Sequence, residues 1–292
     1  MRNTAHIIYI LVLILAGILT TIVLGIHGCD YYLTSIGERP FHAQYAELKP
    51  SGPWGHGYGI IGTLMITAGV IMYSSRKRIR ALANFGKIKN YLEFHMFLCL
   101  VGPILVLYHT TFKFGGLVAV SFWSMTAVVL SGIFGRYVYV QIPRGMYGNE
   151  LSMDELEKEN AEIRTMLEKE FNLDASILQK IDSIAMPAVP VAQMSVMDVL
   201  RFFAIGDITR KLRLESIYHE MRKGKVLHHT IGKIRHLVRH RIVLRRRMAF
   251  LEQMRQIFHY WHVVHLPFSV IMFVILLVHV AVTVTFGYTW IF

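Results

Sequence analysis

Four histidines have the type and spacing to do chemistry. In "HMFLCLVGPILVLYH" His95 and His109 bracket an apolar run, and 170 residues on "HLPFSVIMFVILLVH" repeats the arrangement with His265 and His279. Thirteen residues separate the members of each pair. On an α-helix those fourteen steps turn through roughly 1400°, about 40° short of four full turns, and rise about 21 Å. Each pair therefore lies near one helix face and presents one imidazole to each half of a bilayer. Ionisable groups inside a membrane span are costly and point to function, and a bis-imidazole pocket between facing helices suits haem iron. The competing reading is four structural histidines in a polar bundle. His42 and His56 share the spacing, but Pro50 and Pro53 interrupt any helix between them. One match alone carries little; two matches inside apolar runs carry much more.

The elements that would position them are membrane helices. The chain has 292 residues, 54% of them hydrophobic, and a mean hydropathy of +0.43 in spite of 31 basic and 19 acidic side chains. Apolar runs of 18 or more residues read as transmembrane helices, and five are present, at about 6–28, 57–75, 94–112, 117–142 and 262–288. The expected fold is an all-α integral membrane protein, a five-helix transmembrane bundle with a helical cytoplasmic insertion between the fourth and fifth spans. Its divisions are 1–142 for spans one to four, 143–258 for the insertion, and 259–292 for the fifth span and an external C-terminus. The first run is longer than a signal-peptide core and lacks a small-x-small cleavage site, so it is expected to be retained as a span.

Basic residues set the orientation. With the N-terminus cytoplasmic, the external segments hold only Arg39, Lys49 and Lys113 of the 31, and the remaining 28 fall inside. The net charge of +12 is then topology and contact with anionic membrane lipid, and no nucleic-acid partner is implied. The expected location is a bacterial inner membrane. Cys29 and Cys99 are the two cysteines, and CxxCH and CxxC are both absent, which excludes covalent c-type haem attachment and cysteine-held zinc or iron–sulfur clusters. Any metal falls to histidine.

The insertion reads as helical. Ser152 with Glu155 forms a capping box, a second helix follows at about 174–185, "AMPAVPVAQ" is a Pro-punctuated linker, and Ser195 with Asp198 resembles another cap. From Met221 onward the chain is basic. The acidic front and basic rear suggest a docking platform or, at least as well, helices packed on each other.

Several other residues carry two readings each. Gly102 lies midway between His95 and His109, where a missing side chain would admit a porphyrin or a neighbouring helix. Arg136 and Lys113, at opposite ends of their spans, could pair with haem propionates, although snorkelling is the commoner role. His262 points about 100° away from His279 and is an interfacial or supporting residue rather than a ligand. "GYGIIG" at 57–62 matches a dinucleotide fingerprint but opens an apolar span after a loop, so its glycines are a helix-packing face. His56 beside it could line an external pocket, for instance near a quinone; an exposed loop histidine is the expectation.

The paired H-x13-H helices in the third and fifth spans resemble the ferric reductase-like transmembrane domain of metalloreductases and NADPH oxidases. The dihaem cytochrome b group uses similar spacing. The resemblance covers 57–142 and 260–288 and implies two haem b groups, His95 and His265 holding the inner one and His109 and His279 the outer. Complete reductases of that family continue into a flavin and nicotinamide domain, and nothing in this insertion would bind FAD or NADPH. The Pro-Glu-Trp-Tyr quinol motif is absent as well. The resemblance implies an electron-transfer subunit of an oxidoreductase complex, with a cytoplasmic flavoprotein, an iron–sulfur protein or an external cytochrome as partner. The alternative is a quinone-reactive, haem-containing membrane anchor; a third class is a haem-free transporter or sensor with pH-responsive histidines.

Overall fold

The computed structural model describes residues 4–82, 84–143, 151–187, 189–204, 213–219 and 228–286. Expectations for 221–227, for 287–288 of the fifth span and for the C-terminus lie outside the described residues. In chain order the principal helices are α1 (Thr4–His27), α2 (Pro53–Arg78), α3 (Ile88–His109), α4 (Gly116–Gln141), α5 (Met153–Thr165), α6 (Ala175–Ala185), α7 (Val196–Ala204), α8 (His228–Ala249) and α9 (Leu251–Thr285). Among the described residues there is no strand. Helices α1 to α4 and α9 contain the five stretches long and apolar enough to cross a membrane, and the protein is an all-α integral membrane protein. Large apolar side chains such as Leu15 and Leu19 of α1 and Val274 and Leu277 of α9 face outward. In water each exposed Å² would cost about 25 cal/mol; in hydrocarbon that cost disappears.

The helices overrun the apolar runs. Helix α9 begins at Leu251, well before the hydropathy signal at 262, because a hydrogen-bonded helix continues until something breaks it, whatever its polarity. Helix α3 stops at His109, three residues earlier than expected. There the chain turns with Thr111 at φ 51° and Phe112 at φ 59°. The buried Arg39 guanidinium, which also donates to the Thr34 and Tyr32 carbonyls, holds the Thr111 carbonyl in that turn.

The chain forms two compact units, 1–134 with 262–292, and 135–261. These boundaries fall inside α4 and α9 rather than at the ends of the apolar runs. In the second unit Gly135 lies against the Trp261 indole and Arg247 donates to the Val140 carbonyl at 3.0 Å, which ties the polar ends of both helices into it.

In the first unit α2 and α3 are antiparallel in constant register. Gly59 faces His109, Gly62 faces Gly102 and Leu105, Gly69 faces Leu98 and Cys99, and Tyr73 stacks on His95. A Cβ on Gly62 would lie 2.7 Å from the Gly102 carbonyl oxygen, and one on Gly102 would lie 2.8 Å from the Gly62 oxygen. The position of Gly102 is therefore explained by close helix packing, as small residues allow in membranes. Helix α1 runs parallel to α3, with Gly17 on Val101 and Gly25 on Tyr108. Helix α4 runs antiparallel to α9, since Ser121 meets the Met272 carbonyl at 3.3 Å and Ser131 meets His265.

In the second unit α5 and α6 pack against α8. Leu156, Ile163, Leu178, Ile181 and Val238 are buried there. The buried Arg241 donates to both Asp182 oxygens at 3.0 and 3.1 Å and to the Asn160 carbonyl at 3.1 Å, and Arg245 also pairs with Asp182. Burial pushes the Asp182 carboxyl up, but the two guanidiniums outweigh it and hold the group below its ordinary range. The acidic front and basic rear of the insertion thus pack on each other. The expected capping box is present at Ser152 and Glu155, and Ser195 with Asp198 forms the same reciprocal bonds.

Candidate functional site

The four histidines all lie in the first unit, two on α3 and two on α9. His95 and His265 are within electrostatic reach of each other, and so are His109 and His279. Because both pairings hold, α3 and α9 run parallel with matched spacing. All four rings are half-buried. On α9 the shielded stripe is His265, Ser269, Met272, Leu276, His279 and Thr283, one helix face with both imidazoles on it.

A belt of apolar groups separates the two levels. Met272, midway between the α9 histidines, packs with Ile66 and Met125. Gly102, midway between the α3 histidines, meets Gly62 and Ile66. The Ser121 hydroxyl reaches into this layer, to the Met272 carbonyl.

Hydrogen bonds meet two of the rings. His109 Nδ1 lies 2.8 Å from the Gly55 carbonyl oxygen. A carbonyl can only accept, so Nδ1 carries the proton and Nε2 presents a lone pair. At the other level Ser131 Oγ donates its one proton to the Val128 carbonyl at 3.0 Å and lies in hydrogen-bond contact with His265 Nδ1. Ser131 Oγ thus bridges the Val128 carbonyl and the His265 ring, and an Nδ1–H tautomer of His265 would donate to it. His95 has the Gly69 carbonyl as backbone partner, Cys99 Sγ 3.6 Å from its Nδ1, and the Tyr73 ring stacked at 5.3 Å.

Glycines make room for the rings. A Cβ on Gly59 would come within 2.8 Å of His109 Cγ and Nδ1. One on Gly132 would sit 4.0 Å from His265 Cε1, an ordinary contact.

His56 departs from expectation. It lies in the first turn of α2, half-buried, with its ring 6.3 Å from that of His109 and within electrostatic reach of His279. The α2 helix starts at Pro53, earlier than the apolar run at 57, so a residue expected in an exposed loop is carried into the bundle. His262 is exposed and within electrostatic reach of His265. Lys113 is exposed in the turn after α3. The Arg136 guanidinium lies 5.5 Å over the Tyr139 ring.

Among the described residues no three His, Cys, Asp or Glu side chains converge as a metal cage. The candidate donor set is two imidazoles at each level, which would suit a metal that brings its own equatorial ligands and needs only two axial ones. Haem is such a group. Ser131, Gly55 and Gly59 were not singled out by spacing. The "GYGIIG" glycines marked a packing face without showing that an imidazole fills it. Neither a family model, nor a curated protein, nor a solved structure matches this chain.

Proposed function

We propose that this chain is a dihaem b-type cytochrome subunit that carries electrons across a membrane within a larger redox complex. The observation that carries the reading is that two spans each hold histidines thirteen residues apart, with His265 within electrostatic reach of His95 and His109 of His279. Bound at both levels, haem would supply two one-electron iron couples.

The chain's own residues do the rest. His95 and His265 would hold one group, and His109 and His279 the other. The Gly55 carbonyl would accept from His109 Nδ1–H and Ser131 from His265 Nδ1–H, which would keep both rings oriented. The layer of Gly62, Ile66, Gly102, Met125 and Met272 would put mainly apolar groups between the levels. With the basic residues on the cytoplasmic side, the His95–His265 level faces the cytoplasm and the His109–His279 level faces outward. The partner would be a cytoplasmic flavoprotein or iron–sulfur protein, or an external cytochrome.

The test is the haem-to-protein ratio of the purified chain, by pyridine haemochrome and a reduced-minus-oxidised spectrum. Two non-covalent b-type haems per chain are expected; none in a folded preparation would overturn the reading.

One observation favours the second reading, a quinone-reactive anchor. His56 adds a third imidazole beside His109 and His279, free of any expected ligand role and able to hydrogen-bond a quinone oxygen. A quinone analogue would then perturb the spectrum of the outer haem in the wild type and lose that effect in His56→Ala. No perturbation in the wild type would remove this reading.

A further inference from the structure

The rings differ in the groups that meet them. The acceptor for His109 is the backbone carbonyl of Gly55, which no side-chain substitution removes. His95 has the Gly69 carbonyl, with only a thiol, Cys99, near its Nδ1. The acceptor for His265 is the Ser131 hydroxyl, supplied from α4, a helix that carries none of the four histidines. On the dihaem reading His265 Nε2 is the ligand atom, so Nδ1 carries the proton and the serine oxygen accepts it, its own proton going to the Val128 carbonyl.

We propose that Ser131 is a positioning residue that sets the orientation and electron donation of His265, and through it the reduction potential at the His95–His265 level alone. The inference rests on the dihaem reading. An imidazole whose Nδ1–H is held by an acceptor is a stronger donor through Nε2, and stronger donation stabilises the oxidised iron. Removing the acceptor therefore favours the reduced state. Gly132, next along α4, leaves room at His265 Cε1, so the serine–imidazole contact is not crowded by its neighbour.

The experiment is a potentiometric titration of the full chain, monitored optically and by low-temperature EPR, for the wild type, Ser131→Ala and Ser131→Thr. Ser131→Ala is expected to shift one haem towards the reduced form by about tenfold in the reduced-to-oxidised ratio at fixed potential, about 59 mV for a one-electron couple. The other haem should stay in place, and Ser131→Thr, which keeps the hydroxyl, should restore the wild-type value. Loss of that one haem in the alanine variant with retention in the threonine variant would support the same role more strongly. Full haem content with no shift in Ser131→Ala, or equal shifts in both haems, would overturn the inference and leave the dihaem reading intact. Absence of haem from the folded wild type would instead remove the reading and this inference together.

Discussion

The His95–His265 level and the His109–His279 level share a spacing and differ in how their rings are held. At the first, His265 meets a side-chain hydroxyl from α4, while His95 has the Gly69 carbonyl as partner and Tyr73 stacked on it. At the second, the fixed ring is His109, and its anchor is a backbone carbonyl in the first turn of α2, with Gly59 opened to receive it and His56 alongside. Equal spacing therefore does not mean equal sites: a side-chain anchor can be altered one group at a time, whereas a backbone anchor holds as long as its helix does.

The largest effects should come from the imidazoles. His95→Ala is expected to cost the haem of the first level and His109→Ala that of the second, each leaving about one haem per chain with a distinct spectrum. If each variant retained both haems, the pairing and the comparison built on it would fail.

Smaller effects come from the glycines and sharpen the contrast. Gly59→Ala drives a Cβ into the His109 ring, so occupancy of the second haem should fall on the order of tenfold, as displacing a ligand's support commonly does. Gly132→Ala meets His265 only at ordinary contact distance. It should keep both haems and favour the helix by up to about 1 kcal/mol. Haem titration and thermal unfolding in detergent would check both; equal losses from the two substitutions would erase the distinction between the levels.

The smallest effects belong to the neighbours. Tyr73→Leu and His56→Ala should each leave two haems bound and shift the EPR signal of one, the first-level haem for Tyr73 and the second-level haem for His56. A shift of the opposite haem in either variant would break the assignment of levels.

Much of the architecture was legible because hydrocarbon leaves a one-dimensional record: a span must be apolar for about 20 residues. Helix ends were less legible. Hydropathy does not see α9 continuing back to Leu251, nor the turn at Thr111 and Phe112 that Arg39 holds in place. Arg39 counted in the sequence only as a charge setting topology; two of its backbone partners, Tyr32 and Thr34, are local, but the third, Thr111, comes from a distant segment that no local pattern records. His56 was misplaced for a related reason, since the helix begins at Pro53, where polarity still suggests a loop.

The sequence by itself determined the five spans, the capping motif at Ser152 and the two histidine pairs of equal spacing, because these follow from periodicities of 1.5 Å and 100° per residue along a single helix. Tertiary structure alone decided that Gly102 receives α2, that the insertion's acidic and basic helices pack on each other, and which group holds each ring. Those are contacts between helices, and their partners depend on how far apart, and in what register, separate segments come to rest.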